Sequence, residues 1–354
     1  MMLSPDRAVP HWRTTLAQSL PRRRWRTRFA PAPTGLLHLG HLVNAMHVWG
    51  IARAHGGEVL LRIEDHDRTR CRPEYEQALL DDLDWLGFAP DRFETDSFRR
   101  AGPHAARQSD QEARYVAALG QLDARGLAYP CRCTRRDIAR LVPHAAGDEP
   151  RYPGTCAQQS VSPLESFAQR VRLAESTVSF HDLRLGALQH TPAQQCGDLL
   201  VRDRHAQWTY QFAVTVDDLT HAIDVVIRGE DLLASTGRQL QLAALLGRTE
   251  APQYLHHTLL VHPDGSKLSK AGQDTALREL RAAGATAPAL LGEAAYRAGL
   301  QREPRSIAAN DVAAMFTRAG YSCRLLHTQQ AHHDQQDVLR ALVAVCAIIV
   351  RLVE

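Results

Sequence analysis

Apolar positions along the chain change period several times, and the order of those changes predicts the fold. Residues 1–25 are mostly polar, with Arg22, Arg23 and Arg24 in a row, and read as a flexible leader. Residues 25–29 alternate Trp and Phe with Arg and Thr, which predicts a first strand, and Pro31, Pro33 and Gly35 break it into a turn. Across residues 36–54 the apolar side chains Leu39, Leu42, Val43, Met46 and Trp49 recur at helical spacing, and Gly56-Gly57 stops that helix. Residues 58–63 form the next strand, which runs into the acidic pair Glu64-Asp65. A helix over 73–85 starts at a proline. Strand, turn, helix, strand, helix is the opening of a parallel α/β sheet.

Further on, residues 107–126 predict a helix and 127–130 a short extended piece. From Cys131 to about residue 160 the periodicity gives way to Cys, Pro, Gly and Arg, the mark of an inserted module. Strand-like stretches return at 171–173, 178–180 and 198–202, followed by an apolar segment at 208–216. Residues 224–228 read as a buried strand, 232–246 as a helix, and 257–262 as a short strand before the turn Pro263-Asp264-Gly265. Beyond about 275 the pattern is rich in Ala, Leu and Arg and helical. The chain therefore divides into a leader (1–25), two halves of a catalytic α/β domain (26–130 and 161–275), an insertion (131–160) and a helical C-terminal region (276–354).

Composition narrows the class. Hydrophobic residues are 44% and charged residues 23% of the 354, ordinary values that exclude a disordered or disulfide-stapled protein. A net charge of +3 does not by itself imply nucleic-acid binding, and 6% aromatics argues against a broad base-stacking platform. Seven cysteines, an odd number with three gathered between 131 and 156, point to a reducing compartment. No apolar h-region follows the leading arginines, and the most apolar run, residues 341–350, is too short to span a bilayer. The expectation is a cytoplasmic monomer with no membrane partner.

Three segments carry candidate chemistry. In Arg28-Phe29-Ala30-Pro31-Ala32-Pro33-Thr34-Gly35-Leu36-Leu37-His38-Leu39-Gly40-His41, a strand enters a turn and then a helix start bearing two histidines. A helix N-terminus at the carboxyl end of a parallel strand presents amide donors to phosphate. Gly40 would let a flat base approach the backbone, and His38 and His41 can donate to phosphoryl oxygens. The second segment, Asp264-Gly265-Ser266-Lys267-Leu268-Ser269-Lys270, sets two ammonium groups on a loop, suited to a transferring phosphoryl group. The third, Arg62-Ile63-Glu64-Asp65-His66-Asp67-Arg68, is a carboxylate-rich strand end. Singly, the last two read as a basic turn and a self-paired surface loop.

Together and in this order, His-Leu-Gly-His and Lys-Leu-Ser-Lys resemble the two signature motifs of class I aminoacyl-tRNA synthetases. Their surrounds, with Arg62-Ile63-Glu64-Asp65-His66-Asp67 and Val226-Ile227-Arg228-Gly229-Glu230-Asp231-Leu232, are similar to the glutamyl-tRNA synthetase branch over about residues 26–275. The resemblance implies a Rossmann-like parallel sheet with an inserted zinc-binding module and a helical C-terminal part. Only 84 residues follow Lys270, where full glutamyl-tRNA synthetases carry a larger anticodon-binding region. Cys131-Arg132-Cys133 with Tyr152-Pro153-Gly154-Thr155-Cys156 resembles the zinc site of the truncated glutamyl-queuosine tRNA(Asp) synthetases. That family activates glutamate with ATP in the absence of tRNA and esterifies it to queuosine at the wobble position of tRNA(Asp).

By this resemblance His38, His41, Lys267 and Lys270 are catalytic, with His38, Gly40, His41 and Lys270 binding ATP, whose triphosphate carries Mg2+. Ala271 stands where the broader class has Ser. Arg28, Phe29, Ala30, Pro31, Ala32, Glu64, Tyr210 and Arg228 bind L-glutamate: guanidinium can pair bidentately with carboxylate, Glu64 can take the ammonium, and Tyr210 can donate a hydroxyl. One structural Zn2+ would take Cys131, Cys133, Tyr152 and Cys156. Three gathered thiolates suit such a site on chemical grounds, whereas Tyr152 rests on the resemblance alone. Cys133 and Tyr152 are 19 positions apart, and His144 between them is a rival fourth ligand. Arg132, Arg135, Arg136 and Arg140 are candidates for tRNA phosphate contacts or, equally, a solvated helix face. Cys71, Cys196, Cys323 and Cys346 and most of the 18 histidines, including His104, His190, His221, His332 and His333, read as packing or surface residues, whereas His256 and His257 lie near the catalytic strand and could touch nucleotide, with no chemical role expected of them. The rival functions are a short glutamyl-tRNA synthetase charging tRNA(Glu) and a non-catalytic, zinc-stabilised RNA-binding relative.

Overall fold

The structure, a computed structural model, describes residues 11–142, 149–158, 167–260 and 275–317. Its first half holds α1 (His11–Ser19), β1 (Trp25–Phe29), α2 (Leu39–His55), β2 (Gly57–Leu61), α3 (Pro73–Leu86), the short α4 (Thr95–Arg99) and α5 (Glu112–Asp123). Then come β3 (Ala128–Cys131), α6 (Arg135–Leu141), β4 (Ala168–Val171), β5 (Val178–Asp182), β6 (Gly186–His190), α7 (Pro192–Gln195) and β7 (Leu199–Arg202). The last part holds α8 (Tyr210–Thr220), β8 (Val225–Gly229), α9 (Thr236–Leu245), β9 (Gln253–His257), α10 (Leu277–Ala282) and α11 (Ala287–Arg297). A 3-10 turn, Glu230–Ser235, leads into α9, and another, Ala309–Phe316, closes the described chain.

β1 pairs with β2 in parallel, β8 with β9 in parallel, and β9 with β5 in parallel. β8 lies beside β1. The Asp224 N–H donates to Arg26 O (2.9 Å) where both strands begin, and an Arg28 Nη reaches Ile227 O (3.5 Å) where both end. From β1 the chain steps to β2 on one side and later returns to β8 and β9 on the other. That reversal leaves a crevice at the carboxyl ends of β1 and β8, the usual ligand position in an open α/β sheet. α2 packs behind the sheet along a largely buried face, and Phe316 seats on Gly50, where an added Cβ would come within 2.4 Å of its ring.

Several sequence expectations change. The leader is helical over His11–Ser19: Leu16 of α1 and Leu20 just after it are buried in the main core, so this part of the leader is packed. The predicted strand at 257–262 lies earlier, as β9, because Gln253 to His257 is the stretch that pairs with β8. The apolar segment at 208–216 falls mostly within α8. The parallel sheet is also not the only one: β3, β4 and β7 make a separate antiparallel sheet, and β5 with β6 an antiparallel hairpin. The insertion carries α6, capped by Thr134, whose hydroxyl accepts the Asp137 N–H (3.2 Å) while Asp137 accepts the Thr134 N–H (2.9 Å). The Lys267/Lys270 loop with Ala271, His144, the apolar run at 341–350, Cys323 and Cys346 lie outside the described residues.

Candidate active site

A cavity of about 230 Å³ opens at the carboxyl ends of β1 and β8. That is smaller than the roughly 300–1,000 Å³ of drug-sized sites and suits a single amino acid. Of the residues predicted for glutamate, Arg28, Ala30, Glu64, Tyr210 and Arg228 line it. The other three do not. Phe29 is turned into the core against Trp49 (ring centroids 5.1 Å apart), and Pro31 and Ala32 lie outside the lining. Pro31 instead positions the acid, since its carbonyl accepts the Glu64 N–H (3.0 Å). Asn44, Ile227, Gly229 and Leu232 also line the cavity and were missed by sequence reasoning.

The charged groups form one buried cluster. Asp218 accepts from Arg28 Nε (3.1 Å) and from Arg62 (2.7 Å), and the other Nη of Arg62 donates to Glu64 (2.8 Å). Burial would raise the Asp218 carboxyl, yet the Arg28 and Arg62 guanidiniums hold it at about 2. Arg28, Arg228 and Glu64 face the cavity, a surplus of one positive charge, and behind them Arg62 and Asp218 cancel. Glutamate, with two carboxylates and one ammonium, carries the single negative charge that neutralises this surplus; glutamine does not. Burial pushes the Tyr210 hydroxyl up, which keeps it protonated as a donor.

His38 and His41 sit at the start of α2 and cap it. His38 Nδ1 accepts the Gly40 N–H (3.1 Å), and His41 Nδ1 accepts the His38 N–H (3.2 Å). Both Nδ1 atoms are therefore acceptors, and the ring protons belong on Nε2, the tautomer suited to donate to phosphoryl oxygen. The rings lie 4.0 Å apart. A Cβ at Gly40 would meet the His38 ring at 2.9 Å, so glycine here makes room for the imidazole cap, in addition to any base it admits.

A second cluster occupies the insertion. The Sγ atoms of Cys131, Cys133 and Cys156 all lie within 4.8 Å of one another, with Cys133 and Cys156 3.7 Å apart. Tyr152 Oη is 3.4 Å from Cys131 Sγ and accepts the Cys156 N–H (2.9 Å). A tetrahedral zinc with Zn–S of about 2.3 Å has S–S edges of about 3.8 Å, so the thiols stand near ligand spacing. Burial first, and then the neighbouring Cys131 thiol, push Cys133 up to about 12. Three thiols this close cannot all ionise without a cation between them. Arg170 Nε lies 3.3 Å from Cys131 Sγ, and its guanidinium stacks 3.7 Å over the Tyr152 ring, which would offset the surplus negative charge of such a site. The donor set fits a zinc ion. Among the described residues Tyr152 is the oxygen donor placed with the thiols.

The family described as tRNA synthetases class I (E and Q), catalytic domain, matches residues 24–326, and the chain belongs to that family. Within it the chain is similar to the glutamyl-Q tRNA(Asp) synthetase of Cupriavidus metallidurans, 42% identical over 253 residues, covering 70% of this chain and 77% of the relative. It is also similar to the enzyme of that name from Symbiobacterium thermophilum, 38% identical over 305 residues, covering 82% and 92%. Among solved structures, a glutamate tRNA ligase from Elizabethkingia meningosepticum, in complex with its amino acid, superposes with a TM-score of 0.66 at 25% identity, over 82% of this chain. The chain spans 64% of that ligase's length. The resemblance carried by the sequence motifs is borne out, as is the class I α/β catalytic fold.

Proposed function

We propose that this chain activates L-glutamate with ATP without tRNA and transfers it to the queuosine at the wobble position of tRNA(Asp). The observation that carries the glutamate half is the cavity between β1 and β8, whose lining surplus of one positive charge matches that amino acid. The acceptor half is supported by the printed names of the relatives at 38–42% identity and by the Cys131/Cys133/Tyr152/Cys156 cluster.

In this reading Arg28 and Arg228 receive the two carboxylates, Glu64 the ammonium, and Tyr210 donates its hydroxyl to the side-chain carboxylate. The α-carboxylate oxygen attacks the α-phosphorus of ATP. The bond to the β-phosphate breaks, and pyrophosphate leaves with the Mg2+ that the triphosphate carried. His38 and His41 donate Nε2–H to the phosphates, and Lys267 and Lys270 balance the developing charge. The adenylate's phosphate can take the hydroxyl proton in the transfer step. Zinc, when bound, supplies a structural cross-link between the two ends of the insertion. Arg132, Arg135, Arg136 and Arg140 are all exposed beside that cluster and would meet tRNA phosphates.

A cytoplasmic monomer is the matching form. Among the described residues no cysteine is in a disulfide, and the large exposed apolar side chains, Val116, Leu141, Leu185 and Tyr296, are far apart in sequence. No described helix is long and apolar enough to cross a membrane. The test is ATP–pyrophosphate exchange without tRNA. Exchange is expected with glutamate and not with glutamine or aspartate, and a flat response to glutamate overturns the proposal.

A further inference from the structure

Arg228 is 3% exposed, and four of its five guanidinium N–H donors are engaged, leaving one on the Nη that also holds Gln239. Nε donates to His256 Nε2 (3.0 Å), one Nη to Gln239 Oε1 (2.7 Å), and the other to Thr236 Oγ1 (2.9 Å) and Leu232 O (3.3 Å). All four acceptors are uncharged, so the counter-ion of this buried cation is left for a ligand to bring. The acceptors also fix the plane of the fork, and a carboxylate meets guanidinium well only in that plane.

The contact with His256 has a defined chemistry. Arg228 Nε–H can only donate, so His256 Nε2 carries no proton. The imidazole proton is then on Nδ1, which lies 2.7 Å from Asp182 Oδ2. Asp182 is wholly buried and takes three further donors, the backbone N–H groups of Arg184 (2.9 Å), Leu185 (2.9 Å) and His256 itself (3.0 Å). A carboxylate satisfied this fully is rigid, and it holds the imidazole in one tautomer. The Tyr254 ring lies parallel to His256, 5.8 Å between centroids at 3°, with the Arg228 guanidinium 5.2 Å from its own centroid. Burial first, and the nearby Arg228 charge with it, lower the His256 imidazole below its ordinary value, against the hydrogen bond it donates to Asp182.

We infer that Asp182 and His256 form a buried positioning pair that sets the orientation in which Arg228 receives the substrate carboxylate. Neither residue lines the cavity, so both act through Arg228. β5 supplies Asp182, β9 His256 and β8 Arg228, adjacent strands of one sheet, which makes the alignment a property of the strand register. The inference rests on the reading of the cavity as the glutamate site and adds residues to it that the motifs do not contain.

The test compares His256→Leu and His256→Gln with wild type in tRNA-free ATP–pyrophosphate exchange. Loss of the acceptor should raise the glutamate KM roughly tenfold or more, the size of a hydrogen bond to a charged group. The ATP KM should stay within about twofold. His256→Gln keeps an oxygen able to accept from Arg228 Nε and should recover most of the loss. A glutamate KM unchanged in His256→Leu, an equal rise in both KM values, or no recovery in His256→Gln overturns the inference while leaving wild-type activation intact. Wild type inactive with glutamate would instead overturn the function itself. Because His256→Leu could fail to fold, 15N spectra of histidine-labelled wild type provide a second readout, with the His256 signal assigned by its loss in His256→Gln. The expected proton is on Nδ1 alone, and a proton on Nε2 contradicts the pair.

Discussion

Replacing Arg62 by methionine removes the cation that joins the two acids of the candidate site. Arg62 has no exposed surface and reaches Asp218 at 2.7 Å and Glu64 at 2.8 Å. Without it, Glu64 keeps its buried position but loses its guanidinium, and Asp218 keeps only Arg28. Breaking one partner out of a buried ion cluster costs about 3–5 kcal/mol. Asp218 is held at about 2 against an ordinary 3.8, which corresponds to roughly 2 kcal/mol of stability at neutral pH. Its folded value is depressed, so this contribution is present above about pH 4 and is lost as pH falls through 2. Urea unfolding at pH 7 should therefore show the Arg62→Met protein less stable by about 3 kcal/mol or more, and the gap should narrow below pH 4 as the stranded acids protonate. Pairing the change with Asp218→Asn should recover part of the loss, because one stranded charge is gone. A loss below about 1 kcal/mol at pH 7, with no pH dependence, would refute the buried cluster as the organiser of this site.

The purified chain is expected to carry about one zinc per molecule by elemental analysis. Cys156→Ser should lower that occupancy and the melting temperature, and a wild-type protein that binds no zinc under reducing conditions refutes the site. Asp82 on α3 is 3% exposed, its Oδ2 has no hydrogen-bond partner, and burial raises it to about 6. A raised folded value means stability present below about pH 4 and lost as pH rises through 6. Asp82→Asn should therefore stabilise the fold at pH 7 by about 1 kcal/mol, allowing for screening by Arg281 and Arg278 and by solvent, and a lower melting temperature would contradict this.

Much of the site was legible because its chemistry is local in sequence. The turn from Arg28 to His41 forms a strand end, a turn and a histidine-capped helix start within one segment. Cys131, Cys133 and Cys156 lie close enough along the chain for their spacing to suggest a common ligand. What stayed hidden depends on partners far apart. Asp218 meets Arg28 and Arg62 across 190 and 156 residues, and nothing in its own surroundings marks it as a counter-ion. His256 was expected to have no chemical role for the same reason, since its partners Asp182 and Arg228 are supplied by other strands. β9 was displaced in the sequence reading because its buried pair, His256 and His257, is polar in type. His257 is buried against Asn44 (3.1 Å) and stacks on His47, which hydropathy alone does not show. α1 was missed because its short polar pattern hides Leu16, which with Leu20 just beyond the helix reaches the core.

Transfer of the amino acid tests the central claim most directly. The chain would be incubated with ATP, labelled glutamate and, in separate reactions, tRNA(Asp) with queuosine, tRNA(Asp) without it, and tRNA(Glu), and the label located by nuclease digestion and mass spectrometry. The account predicts label on the queuosine nucleoside of modified tRNA(Asp) and none on the other two. Label at the 3′ end of tRNA(Glu), or no label on queuosine from an enzyme that forms the adenylate, would contradict it.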